Sequence, residues 1–354
     1  MKKLFDSVNL GTLTLKNRLI RAAIWENMAS LGGYPTDKTT SFYEELAKGG
    51  AGLIITGYIL VNQEGRMDRG VSGIYDDSFI PEYRRLVDAV HAKGGKIAAQ
   101  LVYRGTQGGN TDCELWGMSA VPHKTTRLIP HEMITEEIHQ LEVMFADAAL
   151  RAREAGFDAV ELHAAHGYLL SQSLSPYYNR RVDEYGGSVE KRIRLLTETY
   201  EKVRGAVGRD YPLLVKINCS DFAEGEATFA ECEAACRSLN QLGIDGIEIS
   251  GGDRVWETRD KWPSLYADYA MKIAENISAP VILVGNNRDP MALEQLLNET
   301  KISFFSMARP FLREPDLAAR WERGDLTPSR CVSCGKCYSP QGVSCVFRRG
   351  QRNP

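Results

Sequence analysis

Three groups of residues have the types and spacing to do chemistry. His163, His166 and Tyr168 stand in the run His163-Ala164-Ala165-His166-Gly167-Tyr168. Gln100, His163 and Lys216 each interrupt a run that is otherwise apolar. Cys331, Cys334, Cys337 and Cys345 crowd into the last 24 residues. On a straight strand, residues three apart face opposite ways, but where a strand turns into a loop both histidine rings can converge on one point. Such a pair can bind a metal, although no third or fourth ligand adjoins it, or donate hydrogen bonds to a substrate oxygen with Tyr168 as a nearby proton donor. Burying an amide, an imidazole and an ammonium together costs several kcal/mol unless each finds a partner.

The plainer expectation for that polar trio is an internal network in which Lys216 pairs with Glu161. The same side chains also suit the polar edge of a flavin's pyrimidine ring, where an amide matches the N3–H and carbonyls and a fixed cation stabilises negative charge. The cysteine spacing, C-x2-C-x2-C with a fourth Cys after seven more residues, is usable by an iron–sulfur cluster or by zinc, with plain thiols as the third reading.

The elements that must position these groups follow from periodicity. Eight short apolar runs predict strands: Arg18 to Trp25, Ala51 to Val61, Lys96 to Tyr103, Phe157 to Ala164, Pro212 to Cys219, Ile244 to Ser250, Ala279 to Gly285 and Ile302 to Ala308. Most are continuous rather than alternating, as in parallel strands buried on both faces. Segments of helical period lie between them, several ending in Gly. Eight βα units in about 300 residues predict an α/β fold of the (β/α)8 TIM-barrel class, with a doubly wound sheet as the alternative. No G-x-G-x-x-G follows the first strand, which counts against a dinucleotide-binding sheet. In a barrel the chemistry sits where strands end. Strand six ends in Ser250-Gly251-Gly252-Asp253, strand seven in Val284-Gly285-Asn286-Asn287 and strand eight in Ala308-Arg309. Small residues with one Arg at successive strand ends suit a phosphorylated cofactor.

Composition bounds the partners. The chain has 354 residues, 43 Lys plus Arg against 46 Asp plus Glu, a formal charge of −3, and 43% hydrophobic residues. No field is present to grip nucleic acid or an acidic membrane. The longest apolar stretch, Gly52 to Val61, is too short to span a bilayer, and MKKLFDSVNLG lacks the apolar core of a secretory signal. A cytoplasmic protein is expected. Its eight cysteines are then thiols or metal ligands, with Cys113, Cys219, Cys232 and Cys236 expected to be buried in the barrel.

The block HAAHGYLLSQSLSPYYNRRVDEYGGSVEKRIRLL resembles the signature of the old yellow enzyme family of FMN-dependent ene-reductases, and KLFDSVNLGTLTLKNRLI resembles that family's first hairpin and strand. The resemblance runs from about Lys3 to Arg320. It implies an N-terminal β-hairpin, an FMN-binding barrel over residues 1–325 and a short Cys-rich tail over 326–354. Gln100 and Lys216 match residues that hold the isoalloxazine ring, although arginine is commoner than lysine at the second. Ala22, Ala23, Ile24 and the backbone of Tyr58 are implied to line the ring, and Ser250, Gly251, Gly285, Asn286, Ala308 and Arg309 the phosphate end. His163 and His166 match the pair that hydrogen-bonds a substrate carbonyl, and Tyr168 the proton donor.

The activity implied is transfer of hydride from NAD(P)H, via flavin N5, to the β-carbon of an α,β-unsaturated carbonyl or carboxyl compound. The alternatives are an FMN electron-transfer subunit, an amine dehydrogenase-like enzyme on the same barrel, or a metal-dependent lyase or hydrolase using the histidine pair. A homo-oligomer is expected. Trp25 stands where many members have Cys or Thr, Asn27 where a subgroup has a substrate-contacting Tyr, and Tyr58 where a small residue is usual. The tail resembles that of 2,4-dienoyl-CoA reductase, 2-enoate reductase and trimethylamine dehydrogenase, whose cysteines hold a [4Fe-4S] cluster. The expected metal ligands are therefore Cys331, Cys334, Cys337 and Cys345, with an electron-transfer partner in prospect.

Overall fold

A computed structural model describes residues 1–63, 70–107, 113–252 and 264–348. Asp253, placed by the sequence at the end of the sixth strand, lies outside the described residues. The eight predicted strands form as β1 (Leu19–Arg21), β2 (Leu53–Leu60), β3 (Ile97–Val102), β4 (Ala159–Ala164), β5 (Leu213–Asn218), β6 (Gly246–Ser250), β7 (Val281–Val284) and β8 (Ile302–Met307). All pair in parallel, each with its sequence neighbour, because an αβ crossover separates every two. The sheet closes on itself through Phe305↔Leu19 between β8 and β1 and Ile20↔Leu53 between β1 and β2. The helices between the strands, such as Thr135–Glu154 and Phe229–Gln241, cover its outside.

The interior is layered. At the N-terminal end, Leu10 and Leu15 of the hairpin Val8–Leu10/Leu13–Leu15 are fully buried against Ile20, Leu53, Ile55, Ala98, Ala159, Leu214, Ile282 and Phe304. The hairpin is thus a plug that closes the barrel floor. Leu10→Ala is expected to cost 2–5 kcal/mol, since a rigid barrel collapses poorly around a void. A urea midpoint that falls at unchanged slope would report that loss.

One tier further in, the interior turns polar. Register places Gln100 beside both Tyr58 and Glu161, and Lys216 beside both His163 and Glu248. In β2 the register slips between Ile55 and Tyr58. There the Gly57 N–H donates to Glu26 Oε1 at 2.5 Å and to Tyr43 Oη at 3.0 Å. A Cβ on Gly57 would meet the Ile24 carbonyl oxygen at 2.6 Å, so this irregularity needs glycine. Its effect is to set the Tyr58 ring at the barrel mouth.

No helix among the described residues is long and apolar enough to cross a membrane. None of the eight cysteines forms a disulfide; Cys219, Cys232 and Cys236 are buried as expected, whereas Cys113 is partly exposed. Cys232 and Cys236, four apart on Phe229–Gln241, pack with their sulfurs 3.9 Å apart.

Candidate active site

The site begins at the end of β4. His163 is the last but one residue of that strand, and His166 follows in the turn with a left-handed φ of 59°. A non-glycine residue rarely takes that conformation. Here it is held by three contacts: the His166 N–H donates to Asn218 Oδ1 at 3.3 Å, its carbonyl accepts from Gln107 Nε2 at 2.7 Å, and its Nε2 bonds Ser250 Oγ at 2.9 Å. The turn brings the two rings together, with centroids 5.2 Å apart and planes at 87°. Tyr168 caps the short helix Leu169–Leu174 and its ring lies 4.9 Å from that of His163.

Both imidazoles are neutral. Burial, the neighbouring His166 and the Lys216 ammonium hold His163 well below the usual histidine range. Burial and Lys216 push His166 down to about 3. A neutral imidazole keeps one N–H to donate. Ser250 Oγ already engages one nitrogen of His166, and His163 Nδ1 has no partner, so the pair retains hydrogen-bonding capacity toward the cavity.

Lys216 does not pair with Glu161. Its Nζ contacts Glu248 Oε1 at 2.9 Å, while Glu161 Oε2 accepts from Gln100 Nε2 at 2.7 Å. The register explains the difference: Glu248 is opposite Lys216, whereas Glu161 is opposite Leu214 on that side. Glu248, in the strand sequence Gly-Ile-Glu-Ile-Ser, carried the same signal as Lys216, a charge inside an apolar run, and the sequence reading passed it over.

Two adjoining cavities meet at this cluster. One, of about 250 Å³, is walled by Trp25, Tyr58, Gln100, Gln107, His163, His166, Tyr168 and Lys216. The other, of about 360 Å³, runs from Ala22, Ala23, Ile24 and Lys216 past Ser250, Gly251 and Gly285 to Ala308 and Arg309. A third, polar cavity of about 610 Å³ opens off His166 and Gly167 toward Lys124 and Asp221. Of the residues expected at the phosphate end, Ser250, Gly251, Gly285, Ala308 and Arg309 line the second cavity; Asn286 turns the chain with φ 58° and is not on its wall. A Cβ on Gly251 or Gly285 would meet the Tyr266 ring at 2.4 or 2.8 Å. Their bare backbones therefore let the Tyr266 ring pack directly against the strand ends.

This donor set fits FMN on two counts. A cation stands where the cavities join and an amide lines the smaller one, suited to the carbonyls and imide of a flavin ring, and an elongated groove of small residues leads to an Arg, suited to a phosphate. The block from Arg181 to Arg192 takes no part in these walls. Arg181 pairs with Asp183 and Arg192 with Glu231, both at 2.5 Å, and Arg192 Nε also donates to the Leu174 carbonyl at the end of the helix that Tyr168 begins.

The tail enters the site, which no sequence pattern foretold. Gly335, Cys337 and Tyr338 line the groove, and Tyr338 lines the smaller cavity as well. The Val343 N–H donates to Glu26 O at 2.7 Å, and Asn27 Nδ2 to Ser339 O at 2.9 Å, so the segment where Asn27 departs from the family pattern is the seat of the tail. Tyr338 stands 6.2 Å from Trp25, Trp25 is 6.3 Å from Tyr58, and Tyr58 is 5.4 Å from Tyr168, centroid to centroid. Four aromatic rings form one wall.

Comparison with known proteins bears on this architecture. The chain is 37% identical to a metal reductase of Desulforamulus reducens over 98% of its own length and 53% of that protein. It is 35% identical to an NADPH dehydrogenase of Bacillus velezensis over 90% of its length and 93% of that protein. The structure of the old yellow enzyme homologue from Zymomonas mobilis superposes with a TM-score of 0.80 at 27% identity, over 92% of this chain and 94% of that one. The chain thus spans about half of the metal reductase and nearly all of the dehydrogenase. With residues 3–327 matching that family throughout the barrel just described, the chain belongs to the NADH:flavin oxidoreductase / NADH oxidase family.

Proposed function

We propose that this chain binds FMN across the two joined cavities and reduces the C=C bond of α,β-unsaturated carbonyl or carboxyl compounds at the expense of NAD(P)H. The observation that carries the reading is the convergence of two neutral histidines and Tyr168 on the cavity that also holds Gln100 and Lys216. FMN, when bound, supplies a ring that takes hydride from NAD(P)H and passes it to the β-carbon of the alkene. Gln100 and Lys216 hold its pyrimidine edge, the Lys216 charge favouring the electron-rich ring. Ala22, Ala23 and Ile24 line it, and Ser250, Gly251, Gly285, Ala308 and Arg309 surround its phosphate.

The histidine pair donates to the substrate carbonyl oxygen, where negative charge grows as hydride arrives. Neutral imidazoles suit this task because they stabilise the oxygen without protonating it outright. Tyr168 gives its hydroxyl proton to the α-carbon. The aromatic wall restricts the alkene to a flat, narrow shape, and Tyr338 is its outermost member. Tyr338→Ala is expected to raise kcat/KM for an aryl-substituted enone relative to cyclohexenone by about tenfold. Steady-state kinetics on the pair of substrates measures it.

Cys331, Cys334, Cys337 and Cys345 are proposed to hold a [4Fe-4S] cluster that supplies one-electron transfer beside the flavin. Burial first, and the neighbouring Cys331, Cys345 and Cys334 after it, raise the Cys337 thiol above its ordinary range. Iron with acid-labile sulfide in anaerobically purified protein supports the cluster; stoichiometric zinc, or neither metal, overturns it.

A further inference from the structure

The polar tier above the hairpin plug holds two carboxyl groups that the chemistry above leaves without a task. Glu161 on β4 and Glu248 on β6 flank β5, which carries Lys216, and both are fully buried. Each uses one oxygen: Glu248 Oε1 accepts from Lys216, and Glu161 Oε2 accepts from Gln100. The second oxygen of each, Glu161 Oε1 and Glu248 Oε2, meets no donor. One ammonium therefore serves two carboxyls, and the neighbouring histidines, both neutral, add no charge.

Two ionised carboxylates cannot share such an interior at neutral pH, because each uncompensated charge costs several kcal/mol there. A single proton resolves the deficit. It supplies the donor that both stranded oxygens lack and leaves the tier neutral with Lys216. Glu248 has the ammonium as its partner; Glu161 has only the neutral amide of Gln100. Burial first, and repulsion by Glu248 second, hold the Glu161 carboxyl well above the usual range against the opposing pull of Lys216.

We propose that Glu161 and Glu248 share one proton, carried by Glu161, and that Glu248 is a positioning residue that sets how much of the Lys216 charge reaches the flavin. The second half of this inference rests on the FMN reading; the first does not. Gln at position 161 replaces a neutral acid by a neutral amide that still donates toward Glu248 and accepts from Gln100. Glu248→Gln removes the carboxylate paired with Lys216 and leaves Glu161 to take its place.

The test has two arms. In FMN-free protein carrying ¹³C-labelled glutamate, infrared spectra at pH 8 are expected to show a protonated-acid carbonyl band that Glu161→Gln removes. Glu26 and Glu142 are also raised, so the band lost in the difference spectrum is the diagnostic one. Should Glu161→Gln fail to fold, Glu248→Gln serves instead, since freeing Lys216 to pair with Glu161 ionises it and removes the same band. An unchanged acid spectrum overturns the shared proton. In the FMN-loaded protein, Glu161→Gln alone is expected to leave the flavin midpoint potential nearly unchanged, whereas Glu161→Gln combined with Glu248→Gln, which leaves Lys216 without a carboxylate, is expected to shift it upward. A shift in Glu161→Gln as large as in the double variant overturns the assignment of the proton to Glu161, and no further shift in the double variant overturns the positioning role of Glu248. Failure to take up FMN would defeat the flavin reading while leaving the infrared arm to decide the proton.

Discussion

Tyr168→Phe is expected to slow alkene reduction by about 10²–10⁴-fold while leaving reduction of the flavin by NAD(P)H at its full rate. The loss is selective because the hydroxyl serves only the step in which the α-carbon takes a proton. Its ring, by contrast, packs between Tyr58 and His163, and phenylalanine keeps that packing. Stopped-flow traces separate the two halves: bleaching of the flavin by NAD(P)H, then its return on adding an enone. Equal slowing of both would mean that the substitution disturbs the flavin's seat, and full-rate return would assign the proton to another group.

His166→Ala is expected to cost about 10²–10³-fold in the same alkene step, the usual consequence of removing one donor from a developing oxyanion. The pH profile sharpens this. Burial and Lys216 push His166 down to about 3, so it keeps one charge state between pH 5 and 8, and burial holds His163 in the same direction. The alkene step is therefore expected to be flat over that range as far as the histidines are concerned. A sigmoid near pH 6.5 that vanishes in His166→Ala would show an ordinary solvated imidazole and contradict the site. Stability follows the same sign. The folded form binds a proton on these rings only far below the unfolded value near 6.5, so their contribution is intact above that pH and is lost as pH falls from there toward 3.

Much of this was legible in the residues. Eight continuous apolar runs with helical segments between them suffice for a closed parallel barrel, because a strand buried on both faces has few polar positions to spend. The few that exist then stand out, and Gln100, His163 and Lys216 were visible for that reason. The partner of Lys216 was not, since Glu161 and Glu248 are equivalent as letters and only the stagger between β4, β5 and β6 puts the second opposite the ammonium. Asn286 illustrates a different limit. A Gly-Asn pair at a strand end marks a turn, but whether the side chain faces the groove depends on a backbone angle, here φ 58°, that composition does not encode.

The tail was least legible. Its cysteine spacing announced metal chemistry, yet nothing in Gly335 to Tyr338 has a period or a propensity that fixes where the segment docks. That placement comes from long-range contacts, the Val343 N–H to the Glu26 carbonyl and the Asn27 side-chain amide to the Ser339 carbonyl, and on the tail's side both are made by backbone groups that carry no sequence signature. Tyr338 thus joins the aromatic wall from 313 residues beyond Trp25, as their numbering shows.

The central claim is that this barrel uses bound FMN to carry hydride from NAD(P)H to an activated alkene. It is tested most directly by anaerobic titration followed by visible absorbance. The account predicts oxidised-flavin bands in the purified protein, bleaching by NAD(P)H, and their return on adding one equivalent of an enone per flavin, with the saturated product formed. Protein that takes up no FMN, or flavin that NAD(P)H bleaches and no enone, nitroalkene or enoate restores, would contradict it.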